Sequence, residues 1–177
     1  MTVRWGDYYP YIPLEGKPLK EFTRKQARNE FDKLMAEKLQ RIDSLRKLLR
    51  ENGIELRSSD DGLQELNDWF RREVEPDPND SGRLMSIWYA VVNDIALFLG
   101  DTMIERCPNL AWVMFDKGKK DISYQRHVIM GFTNISNPNY NVDIDLIIGM
   151  YGHRIIGGKD DDADRFVGMV REAQKDA

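Results

Sequence analysis

Residues 94–106 read DIALFLGDTMIER, and the fold turns on whether this apolar stretch, with Asp94, Gly100, Asp101 and Glu105 set inside it, is a buried helix. Extended backwards through Leu84, Ile87, Trp88, Val91 and Val92, its apolar positions cover most of a helical circumference. That pattern predicts a core helix from about Arg83 to Arg106, closed by Pro108. At about 100° per residue, Asp94, Asp101 and Glu105 fall on one face with Phe98 between them, so the polar residues are ordered. Gly100 is the exception, because glycine inside a helix costs about 1 kcal/mol relative to alanine. Close approach by another backbone, the strand bearing Trp112, is the expected reason for it.

Towards the N-terminus, Thr23 is placed to cap a long helix that runs to about Asn52 and stops at Gly53. Its apolar stripe is Ala27, Phe31, Leu34, Met35, Ile42, Leu45 and Leu49. Glu21/Lys25, Glu37/Arg41 and Asp43/Lys47 read as acid-before-base pairs on an exposed face, and Lys38 interrupts the stripe, where it must snorkel or pair. Ser58 and Ser59 precede a second amphipathic helix with Leu63, Leu66, Phe70 and Val74 inward, ended by Pro76. EPDPNDSG, residues 75–82, reads as loop by composition.

Towards the C-terminus, LAWVMF and ISYQRHVIMGF alternate as two strands joined at DKGKKD, with Ile122, Tyr124, Val128, Met130 and Phe132 on one face. They predict an antiparallel hairpin. VDIDLIIGMYGHRII alternates like a strand and also fits the helical template; capping by Asn141, acids in the first turn and the Gly157–Gly158 stop favour helix. A last short helix carries Phe166, Val170 and Ala173 inward. The predicted fold is therefore α+β: a helical N-terminal half, a long core helix packed on a small antiparallel sheet, and C-terminal helices. One domain is expected over residues 1–177, with residues 1–20 as an extended arm rich in Trp, Tyr and Pro.

The chain has 177 residues, 41% of them hydrophobic and 32% charged, with a net charge of −4. That balance argues against general affinity for nucleic acid. No segment reads as a secretory signal or as an uninterrupted membrane span of ~18–20 apolar residues, and the single cysteine, Cys107, excludes an internal disulfide. A cytoplasmic protein is expected, with no membrane partner. Charge is unevenly distributed: Lys20 to Arg50 holds ten Lys/Arg against five Asp/Glu, and Glu51 to Gly82 three against ten. Complementarity within the molecule, or a charged partner, would explain it.

Motifs that would carry chemistry fail on inspection. GHRIIGGK, residues 152–159, resembles a phosphate loop out of register, and Asp160 stands where a hydroxyl is required. Asp160, Asp162 and Asp164 have calcium-loop spacing, but Arg165 and Arg171 occupy the positions that need glycine and a bidentate glutamate. The acids instead suit the N-terminus of the last helix. Cys107 lies beside Pro108 without a nucleophile signature and reads as a small buried hydrophobe. What remains is the Asp94, Asp101 and Glu105 face, which would serve a hydrolase or metal-dependent enzyme if His127 or His153 approached it. No cofactor or metal is expected otherwise.

At FTRKQARNEFDKLMAEKLQRIDSLRKLL (22–49), LQELNDWF (63–70) and DIALFLGDTMIERCPNLAW (94–112), the chain resembles a loose group of small uncharacterised bacterial α+β proteins, immunity-protein-like in size and type. Phe98-Leu99-Gly100-Asp101 and Trp112 stand at the group's "YLG-acid" turn and strand-opening tryptophan, with Phe for the more usual Tyr and Asp for the more usual Glu. The resemblance implies a fold and carries no catalytic residue. The expected function is a non-enzymatic protein-binding module, an inhibitor that occludes a bacterial toxin. Its expected contact residues are Trp5, Tyr8, Tyr9, Asp94, Asp101 and Glu105.

Overall fold

A computed structural model describes residues 3–14, 21–159 and 162–177. The first helix, α1 (Arg24–Glu51), starts at a capping box: the Thr23 side chain accepts from Gln26 N and the Gln26 side chain accepts from Thr23 N. It stops at Gly53, whose φ of +76° only glycine adopts cheaply, and Ile54 N then bonds back to Leu49 O. α2 (Asp60–Glu73) is capped by Ser59 and buries Leu63, Leu66, Trp69 and Phe70. Both agree with the sequence pattern.

EPDPNDSG is not a plain loop. Pro76–Asp77 (β1) pairs antiparallel with Asp80–Leu84 (β2). Asp77 and Asp80 side chains accept from Asn79 N and Gly82 N, so the turn residues fold the hairpin themselves. Because Arg83 and Leu84 belong to β2, the core helix α3 begins later than its apolar pattern implies, at Ser86, and ends at Arg106.

α3 lies against α1, α4 and α5, with Trp88, Val91, Ile95, Leu97, Leu99 and Met103 fully enclosed. Among the described residues this is the one helix long and apolar enough to cross a bilayer, and 72% of its most apolar stretch is buried inside the fold. Trp88 sits at the centre, its ring 5.5–5.8 Å from those of Trp5, Trp69 and Phe70. Tilted and edge-on aromatic pairs of this kind add about 0.5–1.5 kcal/mol each beyond burial.

β3 (Ala111–Met114) and β4 (His127–Met130) form the expected antiparallel pair, Trp112 opposite Ile129 and Met114 opposite His127. β4 is shorter than its alternation predicts. Residues 121–126 coil into turns, Gln125 takes φ +66°, and Ile122 is 73% exposed instead of facing inward. Phe115 still bonds to Arg126 and Gln125 across the base of that loop, which satisfies its backbone without extending the strand. The ambiguous segment is helical: α4 (Ile144–Ile156) is capped by Asp143, which accepts from Leu146 N, and not by Asn141. α5 (Arg165–Asp176) buries Phe166, Val170 and Ala173 as expected. Asp160 of the calcium-like run lies outside the described residues.

Candidate functional site

Ala27, Leu34, Arg41 and Leu48 recur every seven residues on α1, and all four are buried. A charged residue therefore occupies a core position. Glu30, also buried, lies about three turns before Arg41 on nearly the same face. The arm runs antiparallel along this face. Arg4 and Asn52 exchange two hydrogen bonds of 3.0 Å at one end. Further along, Gln40 Nε2 donates to the Tyr9 hydroxyl at 2.7 Å, and Lys33 Nζ donates to the Ile12 carbonyl at 3.0 Å. Tyr11 Oη and Leu14 N both donate to the Glu30 carboxylate, at 2.5 and 2.8 Å. An extended, proline-bearing segment has no helical partners for its carbonyls, so side chains of α1 supply them.

Asp94 meets this face midway. Arg41 Nε and Nη2 grip its two oxygens at 2.9 and 2.5 Å, and Tyr8 Oη donates to the second at 2.6 Å. The two charged side chains are 2% and 0% exposed. Burial works against the Arg41 charge, but the bonds and charge of Asp94 outweigh it and hold the guanidinium above its usual value. Burial likewise pushes the Asp94 carboxyl up, while the donors around it pull the other way. Tyr8 is pushed up, chiefly by burial and then by the neighbouring carboxylate, so its hydroxyl remains a donor. The expected Glu37/Arg41 surface pair does not form; Glu37 pairs with Lys33 instead.

The carboxylate face thus emerges from the core in three steps with three environments. Asp94 is enclosed, Asp101 is half-buried and accepts from Lys38 Nζ at 2.6 Å and Trp112 Nε1 at 2.9 Å, and Glu105 is exposed. Lys38 therefore resolves its place in the apolar stripe by pairing. Gly100 is explained by the residue expected but not by its backbone: a Cβ there would lie 2.0 Å from the Trp112 indole. Of the two histidines, His153 approaches Tyr89 and the Gly82 carbonyl, while His127 packs its ring 5.9 Å from Trp112. Among the described residues no group of three or more His, Cys, Asp or Glu is arranged to hold a metal ion. Cys107 is buried and free.

Of the aromatic arm residues, Trp5 and Tyr8 are half-buried, Trp5 edge-on against Trp88, and Tyr9 is 48% exposed. Tyr8, Tyr9 and Asp94 come together around Arg41, whose guanidinium lies 5.5 and 5.1 Å from the Tyr8 and Tyr9 rings, while Trp5 packs beside Tyr8. Asp101 and Glu105 lie further along α3.

Beyond Arg41 the arm, α1, the first turns of α3, β4 and the start of α4 enclose a cleft of about 340 Å³. Pro10, Tyr11, Phe22, Leu34 and Tyr89 give it apolar walls; Glu30, Asn93, His127 and Asp145 are its polar groups. Beneath it, a void of about 20 Å³ touches Glu30, Gln125 and His127. His127 Nε2 and Gln125 Oε1 are buried without a protein partner, and burial pushes the imidazole pKa down. Comparison with family models, with curated proteins and with solved structures found no match to this chain.

Proposed function

We propose that this chain is a non-enzymatic protein-binding module of the immunity type, and that it takes its partner at the cleft under the arm. The observation that supports this reading is the contrast between the carboxylates and the cleft. Asp94 and Asp101 already accept from structural donors, whereas the cleft combines ring-lined walls with a few fixed polar groups and opens beside exposed Ile12 and Tyr89. Such concave, mostly apolar sites bind side chains or small ligands, and buried aromatic contacts dominate the energy of protein interfaces.

Affinity capture on the native host's lysate tests the reading when the wild type is compared with Ala90→Phe, which fills the cleft from α3. The wild type is expected to retain one protein at equal stoichiometry, and the variant to lose it while keeping its circular dichroism. If the captured protein is toxic in a foreign host and co-expression relieves the toxicity, the immunity role is established. Absence of any stoichiometric partner would sink the proposal. A metal-dependent rise in melting temperature would favour the competing hydrolase or metal-enzyme reading that uses Asp94, Asp101 or Glu105.

A further inference from the structure

We propose that the cleft receives a basic side chain, an arginine above all, presented by the partner protein; this rests on the docking reading above. Two carboxylates border the cavity, one without a counter-charge among the described residues and one that shares its cation. Glu30 accepts only from neutral donors, the Tyr11 hydroxyl and Leu14 N, and forms no ion pair among the described residues. Asp145 accepts from Arg126 Nη2 at 2.6 Å, but the same guanidinium also binds Asp143, so one cation serves two carboxylates.

Among the described residues no lysine or arginine lines the cavity to offset these charges. Lys33 of α1 lies over the Tyr11 ring and is already held by Ile12 O and Glu37. His127 adds no positive charge at neutral pH, since burial favours its neutral form. The walls carry three aromatic rings, Tyr11, Phe22 and Tyr89. Aromatic faces with a carboxylate behind them suit a flat guanidinium on an apolar stem better than a compact, strongly hydrated ammonium. The cleft's 340 Å³ stands at the low end of the ~300–1,000 Å³ found for small-ligand sites, room for one long side chain. A net charge of −4 also steers a basic partner towards the chain.

The experiment follows ring and methyl NMR signals of the full chain during titration with three probes. These are an acetylated, amidated Leu-Arg-Leu tripeptide, the same peptide with neutral citrulline for arginine, and butylguanidinium. The arginine peptide is expected to shift Tyr11, Tyr89 and His127 signals with about tenfold higher affinity than the citrulline peptide, the scale of one added charge contact. Added salt should narrow that gap, and so should Glu30→Gln, which keeps the carboxamide oxygen for Tyr11. Should Glu30→Gln fail to fold, the salt series on the wild type carries the same test. Equal binding of both peptides overturns the inference and leaves a neutral docking cleft. Butylguanidinium binding as tightly as the arginine peptide overturns it in favour of a free cation. No shift from any probe overturns it too, and partner capture that still depends on Ala90 would then leave the docking reading standing.

Discussion

Arg41 and Glu30 project about three turns apart from nearly the same face of α1 and reach the same extended arm, yet their surroundings differ. Arg41 is closed in by Asp94, Tyr8 and Tyr9, every donor facing an acceptor or a ring. Glu30 has two neutral donors, a cleft before it, and His127 and Gln125 with unpartnered buried atoms beside it. Charge buried with its counter-charge is a structural device; charge buried without one, next to a cavity, is where an incoming group is worth most. The contrast is the reason the proposed docking site is put at the Glu30 end and the stabilising role at the Arg41 end.

Removing Asp94 should have the largest effect. Asp94→Ala leaves the Arg41 guanidinium buried and unpaired, a loss of about 3–5 kcal/mol in the free energy of unfolding. Urea denaturation measures it. Replacing both partners, Arg41→Met with Asp94→Leu, should recover most of that loss, because an apolar pair of similar volume carries no desolvation cost. A single-variant loss below about 1 kcal/mol would mean that the Arg41 end is not the stabilising one.

Gly100→Ala comes next, and its sign is the informative part. Helix propensity alone would stabilise the protein by about 1 kcal/mol. The new methyl would overlap the Trp112 indole, so a net loss of about 1–3 kcal/mol is expected instead. Trp112 joins the two regions, because its ring contacts His127 while its N–H holds Asp101, itself paired with Lys38 of α1. Its indole N–H resonance should move in the variant. Unchanged stability and an unmoved resonance would break the link between the regions.

Which of these features the sequence reveals depends on whether the determining contact is local. The ends of α1, the inward face of α2 and the helical state of residues 144–156 were legible because caps and periodicity act within a few residues. The hairpin at Pro76–Leu84 was hidden because Asp, Asn and Pro read as loop until their side chains are seen closing the turn. The Arg41 pair was hidden for a different reason: Glu37 four residues earlier offered a cheaper surface reading. The signal was present in the seven-residue recurrence of Ala27, Leu34, Arg41 and Leu48, which places the arginine among core residues. Gly100 pointed to the right residue, Trp112, and to the wrong part of it. The cleft has no linear signature, since five separate segments supply its lining.

Acid should distinguish the two ends more gently. His127 binds a proton less readily in the folded chain than in the unfolded one, whose imidazole titrates near ~6.5. The unfolded state therefore holds more protons as pH falls through that value, so stability is full above ~6.5 and declines below it. For one group the slope is at most about 1.4 kcal/mol per pH unit. His127→Phe should flatten the decline at no cost near neutrality, since Nε2 has no protein partner to lose. An unaltered pH profile would show that another group controls acid sensitivity.

The finest test sets one hydroxyl against another on the same arm. Tyr8→Phe removes a donor from a fully enclosed carboxylate, where water cannot replace it, and should cost about 1.5–3 kcal/mol. Tyr11→Phe removes the equivalent donor from Glu30, but Glu30 borders the open cleft, from which water can take the donor's place, and the cost should be near 0.5–1.5 kcal/mol, about that of an ordinary hydrogen bond. The difference of about 1 kcal/mol, read from paired denaturation curves, is the energetic form of the contrast between a closed and an open end. Equal losses would mean that the carboxylate at the cleft is as sealed as the one in the core. It would then have no free face to offer a partner's guanidinium.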